Sequence, residues 1–452
     1  MLKSKLKHFK SWIILLLCII VSLPAVWIVS TRLEGEKPSI TLTPSSAFIN
    51  ASQDITVSVS DIKSGVRKIW VGLLKDGKEN ILLEKEFPKA GSHEESFKIS
   101  IKPKKLGISD GKAILRMVAR DFSWRRWWHG NKTYIETVVM IDTRPPCVDI
   151  LSRAHNVSPG GAGLVIYKLS ESCPENGVNV GGNFFPGHPG YFKDADIYMA
   201  FFALNYNQGA KTEIFVKATD QAGNTKRAGI PYYIKRKSFK KDILNISDKF
   251  LNWKMPEFDV DIPPDSKTPM LDKFLKVNRD LRKANYKEAT EIGEKTDAAI
   301  YWNGVFTRLP RSANRAGFAD QREYKYNGRI IDHQVHLGVD LASVALSPVP
   351  AANSGKVAFV EYLGIYGKTI IIDHGFGLHS MYSHLSGFDV QKGQMVEKGE
   401  IIGRTGITGL TGGDHLHFGI LIHNTFSNPV EWWDASWIKN NITSKITSIE
   451  SR

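Results

Sequence analysis

The sequence predicts a mainly β, multidomain protein with one membrane helix at its N-terminus. Three observations predict this class: an uncharged apolar run near the start, alternating apolar and polar residues through the first half, and short β-branched runs between glycines near the end. The chain has 452 residues, which at roughly 150 residues per domain suggests about three folded units. Apolar residues make up 42% and charged residues 23%, so full disorder and a multi-span membrane protein are excluded.

The first element is a predicted membrane anchor, assigned to residues 1–30. Four lysines precede a run from Trp12 to Val29 that carries no charge. As a helix this run rises about 27 Å, close to the roughly 30 Å hydrocarbon core of a bilayer. Because the lysines come first, we expect a single pass through the inner (cytoplasmic) membrane and an exported remainder in the periplasm or extracytoplasmic space. A cleaved signal peptide is the alternative.

The formal net charge of +14 favours polyanionic partners such as nucleic acid, acidic lipid headgroups or an anionic wall polymer. Because most of the chain is expected outside the cytoplasm, we expect no nucleic-acid partner and a contact with the lipid bilayer through the N-terminal helix. Three cysteines exclude a scaffold built on disulfides. Cys147 and Cys173 lie in the exported part, where they could form one disulfide or remain two thiols.

Residues 37–143 and 144–236 are predicted to form two immunoglobulin-like β-sandwiches. Segments such as Val66–Leu74 and Ala113–Ala119 alternate apolar with polar residues between turn residues, as half-buried strands do. The phrase Lys217–Asn224 resembles the last hairpin of bacterial immunoglobulin-like surface modules. This resemblance supports the architecture and implies no activity.

An aromatic and basic cluster interrupts the first sandwich. It consists of Trp124, Trp127 and Trp128 with Arg125 and Arg126 between them. We interpret it as local packing within a long hairpin. Binding of glycan or lipid headgroups by stacking and charge is the alternative.

Residues 237–300 are predicted to form a helical connector. Thr268 can cap a helix that has Pro269 in its first turn, and apolar residues recur at helical spacing from Leu271 to Leu281. We interpret this segment as a spacer; a lid over the following domain is the alternative.

Residues 301–440 are predicted to form a small, strongly curved antiparallel-β domain. Short β-branched runs stand between glycines there, for example at Thr369–Asp373 and Glu400–Ile402.

Four histidines and one aspartate of this last domain stand at spacings typical of metal sites. His336 and Asp340 are four residues apart, and residues at this spacing share a face in a helix and in a strand. His415 and His417 would project to one side of a strand about 6.6 Å apart, and His384 lies in another predicted strand. Three ligands drawn from histidine and carboxylate leave a position for water, as in catalytic zinc sites.

Eight phrases follow one another through this domain: His336–Asp340, Ser354–Val357, Tyr366–Gly375, Met381–Ser386, Val390–Gly393, Val396–Gly403, Thr405–Gly409 and His415–Phe418. Together they closely resemble the lysostaphin-type zinc metallopeptidases, the M23 or LytM-domain family. Two positions depart from the family pattern. Asp414 stands where proline is usual before His-x-His, and Gly419 where an acidic residue is common, which puts substrate preference in more doubt than catalysis.

The resemblance implies that His336, Asp340 and His417 hold Zn²⁺ and that His384 and His415 are the catalytic imidazoles. It implies a membrane-anchored zinc metalloendopeptidase that hydrolyses peptide bonds in peptidoglycan by means of zinc-activated water. The alternative function is that of a non-catalytic LytM-like regulator or activator of cell-wall hydrolases. The sequence does not identify any protein regulator.

Overall fold

The computed structural model describes residues 2–44, 47–88 and 92–451, so residue 1 of the predicted anchor lies outside the described residues. Helix α1 (Leu2–Arg32) contains an apolar stretch of 24 residues, Phe9–Arg32, with a mean hydropathy of 2.8. The side chains of this stretch pack into no core. The helix is therefore long and apolar enough to cross a membrane, a property that it shares with signal sequences.

The first β region follows α1 and is built as two layers. Its described strands are β1 (Ser39–Thr43), β2 (Phe48–Ile49), β3 (Gln53–Ser60), β4 (Val66–Lys75), β5 (Lys78–Glu86), β6 (Glu94–Ile101), β7 (Gly111–Asp121) and β8 (Lys132–Ile141), with a 3₁₀ turn at Pro103–Leu106 and a four-residue turn, α2, at Arg125–Trp128. Strands β1, β3 and β6 form one sheet, in the order β1-β3-β6, and the second sheet has the order β2-β8-β7-β4-β5.

Alternating side chains of both sheets share one core. Along β7, Ala113, Leu115 and Met117 are buried while the residues between them are half-buried, and Val57 and Ile69 meet them from β3 and β4. The prediction of a mainly β chain with half-buried strands is confirmed here. The immunoglobulin-like topology stays a prediction.

The second β region has a more completely buried centre. Its strands are β9 (Val148–Ile150), β10 (His155–Val157), β11 (Ala162–Leu169), β12 (Glu175–Val180), β13 (Asn183–Pro186), β14 (Ile197–Ala203), β15 (Ile214–Thr219), β16 (Thr225–Gly229) and β17 (Tyr232–Ile234). They form sheets of order β14-β11-β9 and β13-β12-β15-β16 and a parallel pair β10-β17. No disulfide joins Cys147, which is exposed, to Cys173, which is buried.

The connector is not helical throughout, which corrects the prediction for residues 237–300. It begins with strand β18 (Lys241–Ile246), which pairs in parallel with Gln321–Tyr326 of the last domain. Helices follow it: α3 (Asp248–Lys254), a 3₁₀ turn (Met255–Glu257), α4 (Pro269–Lys276), a π-helical turn (Val277–Leu281) and α5 (Arg282–Gly293). The sequence did not indicate β18, because its partner strand is about eighty residues away and local spacing reports only local structure.

The last domain is a curved antiparallel sheet. Its strands are β19 (Ala313–Ala316), β20 (Gln321–Tyr326), β21 (Arg329–Val335), β22 (Val339–Ala342), β23 (Pro348–Pro350), β24 (Gly355–Tyr362), β25 (Lys368–Asp373), β26 (Leu378–Leu385), β27 (Gly387–Phe388), β28 (Met395–Val396), β29 (Ile401–Arg404), β30 (Leu416–Ile422) and β31 (Thr425–Ser427), with a 3₁₀ turn at Gly364–Tyr366. The main sheet has the order β19-β22-β30-β26-β25-β24-β28, with β31 on β30. The chain ends in α6 (Pro429–Trp432), α7 (Ala435–Ile438), a π-helical turn (Lys439–Thr443) and α8 (Ser444–Glu450).

By the density of its contacts, the chain divides into two compact units. The first comprises Met1–Pro145 and Asp220–Asn224, and the second comprises the remaining residues. The second β region, the connector and the last domain therefore belong to one unit and share one core. The domain boundaries predicted within this unit stay predictions.

Candidate metal centre

Two neighbouring strands position the centre of the site. Asp340 on β22 pairs directly with His417 on β30, so their side chains leave the same face of the sheet. His336 lies just before β22, four residues from Asp340, and its ring reaches the same point. Gly338 allows this close approach, because a Cβ there would lie 2.5 Å from the ring of His417.

Three potential ligand atoms form a triangle. His336 Nε2 lies 2.9 Å from Asp340 Oδ1 and 2.9 Å from His417 Nδ1, and the last two atoms are also 2.9 Å apart. All three residues are buried. The structure thus brings together the three residues that the sequence analysis assigned to the metal.

Hydrogen bonds at the outer edge of the triangle fix the ring of His336. Its Nδ1 lies 2.9 Å from the carbonyl oxygen of Gly317, which can only accept, so Nδ1 carries the proton and Nε2 presents a lone pair to Asp340 and His417. Lone pairs that face one another at this distance repel unless a cation or a proton lies between them. Two imidazoles and one carboxylate are a donor set that suits Zn²⁺. The residues present therefore fit a zinc ion.

The two predicted catalytic histidines border this triangle. His384 is near the end of β26, and its ring centroid lies 4.9 Å from that of His415 and 5.9 Å from that of His417. Its Nδ1 is 2.8 Å from the carbonyl oxygen of Thr408, and Nδ1 of His415 is 2.9 Å from that of Gly413. His384 therefore keeps an Nε2 lone pair. Nε2 of His415 lies 3.4 Å from a carboxylate oxygen of Asp340, to which it can donate when the ring is protonated.

Burial and neighbouring charge separate these two rings. Burial, together with the neighbouring rings of His415 and His417, lowers the pKa of His384 well below its usual value. Burial also acts to lower the pKa of His415, but its hydrogen bond and charge interaction with Asp340 outweigh burial and raise it. The pKa of Asp340 lies well below its usual value, because the histidines around it outweigh the effect of burial. His384 is thus the neutral ring and Asp340 the ionised carboxylate.

Arg322 is a site residue that the sequence analysis missed. It lies on β20, and its Nη2 donates to Asp340 Oδ2 at 2.8 Å, so both oxygens of this carboxylate are engaged. Its Nε is buried and has no hydrogen-bond partner among the described residues. No spacing pattern signals this arginine, since it reaches Asp340 only through the folding of β20 and β21 beside β22.

A groove of about 310 Å³ opens over the triangle, and the connector supplies part of its wall. Leu244 of β18, Phe250 of α3 and Phe274 of α4 line it together with the candidate ligands. Lys254 is fully buried; its ammonium group binds Glu257 and the carbonyl oxygen of Ile407, one residue before the Thr408 that holds His384. The connector is therefore more than a spacer.

A second group of histidines lies in the same unit and is defined here as His188, His374, His379 and His423. Nδ1 of His374 lies 2.8 Å from the carbonyl oxygen of Ser354 and its Nε2 lies 2.7 Å from the hydroxyl of Ser380, so both nitrogens are engaged. His188 stacks on His423 with the ring centroids 5.5 Å apart. Burial lowers the pKa of His188 to about 4 and that of His374 and His423 to about 3.

The remaining residues singled out near the site lie outside it. His333 is exposed on β21. Asp414, which departs from the family pattern, accepts a hydrogen bond from the backbone N–H of Leu346 at 3.2 Å. It is a loop residue.

Comparison with known proteins places this site in a family. The family model described as Peptidase family M23 matches residues 334–429, which include all five site residues. Peptidoglycan DD-endopeptidase ShyB of Vibrio cholerae is 35% identical over 109 residues, or 24% of this chain and 25% of that protein. DD-carboxypeptidase/endopeptidase Mpg of Neisseria meningitidis is 38% identical over 97 residues, or 22% of each chain. The match thus spans about a quarter of the length of these relatives.

Among solved structures, the catalytic domain of the antimicrobial peptidase lysostaphin from Staphylococcus simulans is 28% identical, with a TM-score of 0.25. The match covers 29% of this chain and 98% of the lysostaphin domain.

Proposed function

Because residues 334–429 form a domain of peptidase family M23, we propose that this chain is a zinc-dependent endopeptidase that hydrolyses peptide bonds in peptidoglycan. The observation that carries the proposal is the triangle of His336, Asp340 and His417, with ligand atoms 2.9 Å apart beneath an open groove. No cysteine lies in the last domain, so the available donors are nitrogen and oxygen, which suit zinc with an open position.

A zinc ion held by these three residues supplies Lewis acidity, which polarises a peptide carbonyl and acidifies water. The chain's own residues do the rest. Arg322 donates to Oδ2 of Asp340 and holds this carboxylate in place, and the carbonyl oxygen of Gly317 fixes the ring of His336. The protein therefore presents the ligand set already oriented.

His384 and His415 are proposed to move the protons of the reaction. The protonated Nδ1 of each ring is tied to a backbone carbonyl, so Nε2 is the atom that accepts a proton. Hydrolysis needs one proton taken from water and one delivered to the leaving amine.

The substrate and the location are proposed from the relatives and from α1. Two relatives are named as a peptidoglycan endopeptidase and a carboxypeptidase/endopeptidase, and a groove of about 310 Å³ lies over the candidate ligands here. Helix α1 would anchor the chain in the inner membrane, with the peptidase domain on the outer side. Alkaline extraction of membranes is expected to leave the intact chain in the pellet. A soluble chain shortened by about thirty residues would indicate a cleaved signal peptide instead.

The test of the proposed activity is incubation of the purified full chain with peptidoglycan sacculi of known cross-link chemistry. Released peptides are identified by mass spectrometry, with and without a chelator, and bound zinc is measured on the same samples. We expect cleavage that is lost with chelator and with His417→Ala. The matched control is His333→Ala, which removes an exposed histidine outside the site and should leave cleavage and zinc unchanged.

Two results would contradict the proposal. Sacculi that stay intact while the wild-type chain carries zinc would favour the non-catalytic regulator. Cleavage that continues in His417→Ala would mean that this triangle is not the catalytic centre.

A further inference from the structure

The aromatic and basic cluster lies in the loop of the hairpin formed by β7 and β8, as the sequence indicated, but its indoles are exposed, which corrects the interpretation as a packing cluster. Residues 123–129 form a loop, here called the tryptophan loop, between β7 and β8. Trp127 is 88% exposed, Trp128 63% and Trp124 39%. Exposed indoles close together on one loop are unusual on a water-facing surface and indicate a binding surface.

Backbone geometry holds the indoles outward. Arg126, Trp127 and Trp128 follow one another with φ angles of 52°, 55° and 68°, a left-handed conformation that costs energy in residues other than glycine. Arg67 of β4 holds the end of the turn by donating to the carbonyl oxygen of Trp128 at 2.8 Å. Such a conformation persists only where neighbouring groups enforce it. The fold itself therefore keeps these indoles exposed.

The tryptophan loop is tied to the end of α1. The backbone N–H of Trp124 donates to the carbonyl oxygen of Arg32 at 2.6 Å, and Nε of Arg125 donates to that of Leu33 at 2.9 Å. Ser123 donates to the carbonyl oxygens of Arg32 and Glu34. The loop therefore lies where the apolar helix ends, at the depth where a membrane helix leaves the bilayer.

The residues around the C-terminal end of α1 are of the types found at membrane interfaces. Trp27 of α1, 61% exposed, lies about one and a half turns before Arg32, so four indoles occur near the helix end. Arg32, Arg125 and Arg126 add positive charge beside them. Glu36, exposed nearby, is paired with Lys63 at 2.7 Å. Tryptophan and arginine together are the residues that concentrate at the headgroup level of bilayers.

We infer that the tryptophan loop docks on the bilayer surface beside α1, with its indoles among the headgroups and its arginines paired with anionic lipid phosphates. This inference rests on the proposed anchoring of the chain by α1. A loop docked in this way gives the first unit a second attachment to the membrane besides the helix. It therefore limits rotation of that unit about the helix axis.

The first experiment uses the full chain in vesicles of phosphatidylcholine and phosphatidylglycerol that contain a lipid brominated near its headgroup. Bromine quenches nearby indoles. We expect the double variant Trp127→Ala/Trp128→Ala to lose part of the tryptophan fluorescence that bromine quenches. The remaining quenching should come from Trp12 and Trp27 of α1. The matched control is Trp253→Ala, an indole of α3 that is 45% exposed, which should leave the quenched amount unchanged. Equal quenching in the double variant and the wild type would overturn the inference.

The second experiment separates the loop from the anchor. A chain that begins at Thr31 keeps the carbonyl groups to which the loop is tied. It also keeps the core of the first unit, which includes no residue of α1 among those whose side chains are described. We expect this chain to sediment with phosphatidylglycerol vesicles more than with phosphatidylcholine vesicles. Arg126→Gln should weaken that binding about fivefold at low salt, with less effect at high salt.

Each outcome of the second experiment decides the inference. If the double tryptophan variant binds vesicles as well as the wild type does, the inference is wrong. It is also wrong if the shortened chain is retained on peptidoglycan sacculi but does not bind vesicles, because the loop would then be a glycan-binding surface. If the full chain proves not to be anchored but the shortened chain binds vesicles through the loop, the anchoring proposal fails and the docking surface stands. The melting temperature of the double variant should match the wild type, because the indoles removed are exposed.

Discussion

Two groups of histidines in the second unit are buried to a similar degree and differ in the state of their lone pairs. In the metal centre, the Nδ1 atoms of His336, His384 and His415 are bound to backbone carbonyls, and among the described residues no donor is recorded for their Nε2 atoms. In the second group, His374 uses both nitrogens on protein partners. The contrast between His336 and His374 indicates that burial alone does not mark a cation site, and that the lone pairs which converge on one point in the metal centre do.

The largest expected effect comes from comparing two alanine variants, one from the metal centre and one from the second group of histidines. His336→Ala should lose bound zinc and reduce cleavage by more than the ~100-fold that follows removal of a ligand's hydrogen-bond partner. His374→Ala should keep zinc but lower the free energy of unfolding by about 3 kcal/mol, because it leaves a cavity and removes a hydrogen-bond partner from the carbonyl oxygen of Ser354 and from the hydroxyl of Ser380. Zinc content, sacculus digestion and urea unfolding measure the two variants. Zinc loss in His374→Ala would erase the distinction between the groups.

The next effect separates roles within the metal centre. His384→Ala and His415→Ala should each lower turnover by roughly 10²–10⁴-fold, the range for loss of a general acid or base, while the zinc content stays at the wild-type level. Turnover is measured on a synthetic cross-linked peptide, and zinc by elemental analysis. A variant that loses zinc together with turnover would be a ligand, and the division between three ligands and two catalytic rings would be wrong for that residue.

The sequence alone predicts the five site residues because their spacing and phrases are local. His336 and Asp340 are four apart, and His415 and His417 two apart. Arg322 and the connector wall were out of reach for the opposite reason. Arg322 meets Asp340, and Phe250 meets the groove, only through the pairing of β18 with β20 and the folding of β21, which no short motif encodes.

The fold shows the same limit. Strands such as β4 and β7 were predicted closely, since one face of each is buried and the alternation is visible. The tryptophan loop was misread because its aromatic residues suggest a core, while three consecutive positive φ angles turn them outward. Side-chain type favours burial, but backbone conformation decides where the side chain lies.

Removal of the metal should lower the thermal stability by an intermediate amount, and this effect should depend on the histidines of the metal centre. Binding to the folded state alone stabilises a protein by about 4 kcal/mol at a free metal concentration 1,000 times the dissociation constant. A chelator should therefore lower the melting temperature of the wild type and of His423→Phe, but leave that of His417→Ala unchanged. Calorimetry with and without chelator measures this. A shift that persists in His417→Ala would mean that the metal binds elsewhere.

The smallest expected effect is a pH dependence that belongs to the second group. Burial lowers the pKa of His188 to about 4, whereas an unfolded histidine has a pKa near 6.5. As the pH falls from about 6.5 towards 4, the unfolded chain takes up protons first, so the free energy of unfolding falls. His188→Phe keeps a ring stacked between Phe376 and His423 but removes one titrating group. Between pH 7 and pH 5, the chelated variant should lose about 2 kcal/mol less stability than the chelated wild type, as urea unfolding would measure. Identical losses of unfolding free energy in the two chains would contradict a lowered pKa for His188 in the folded state.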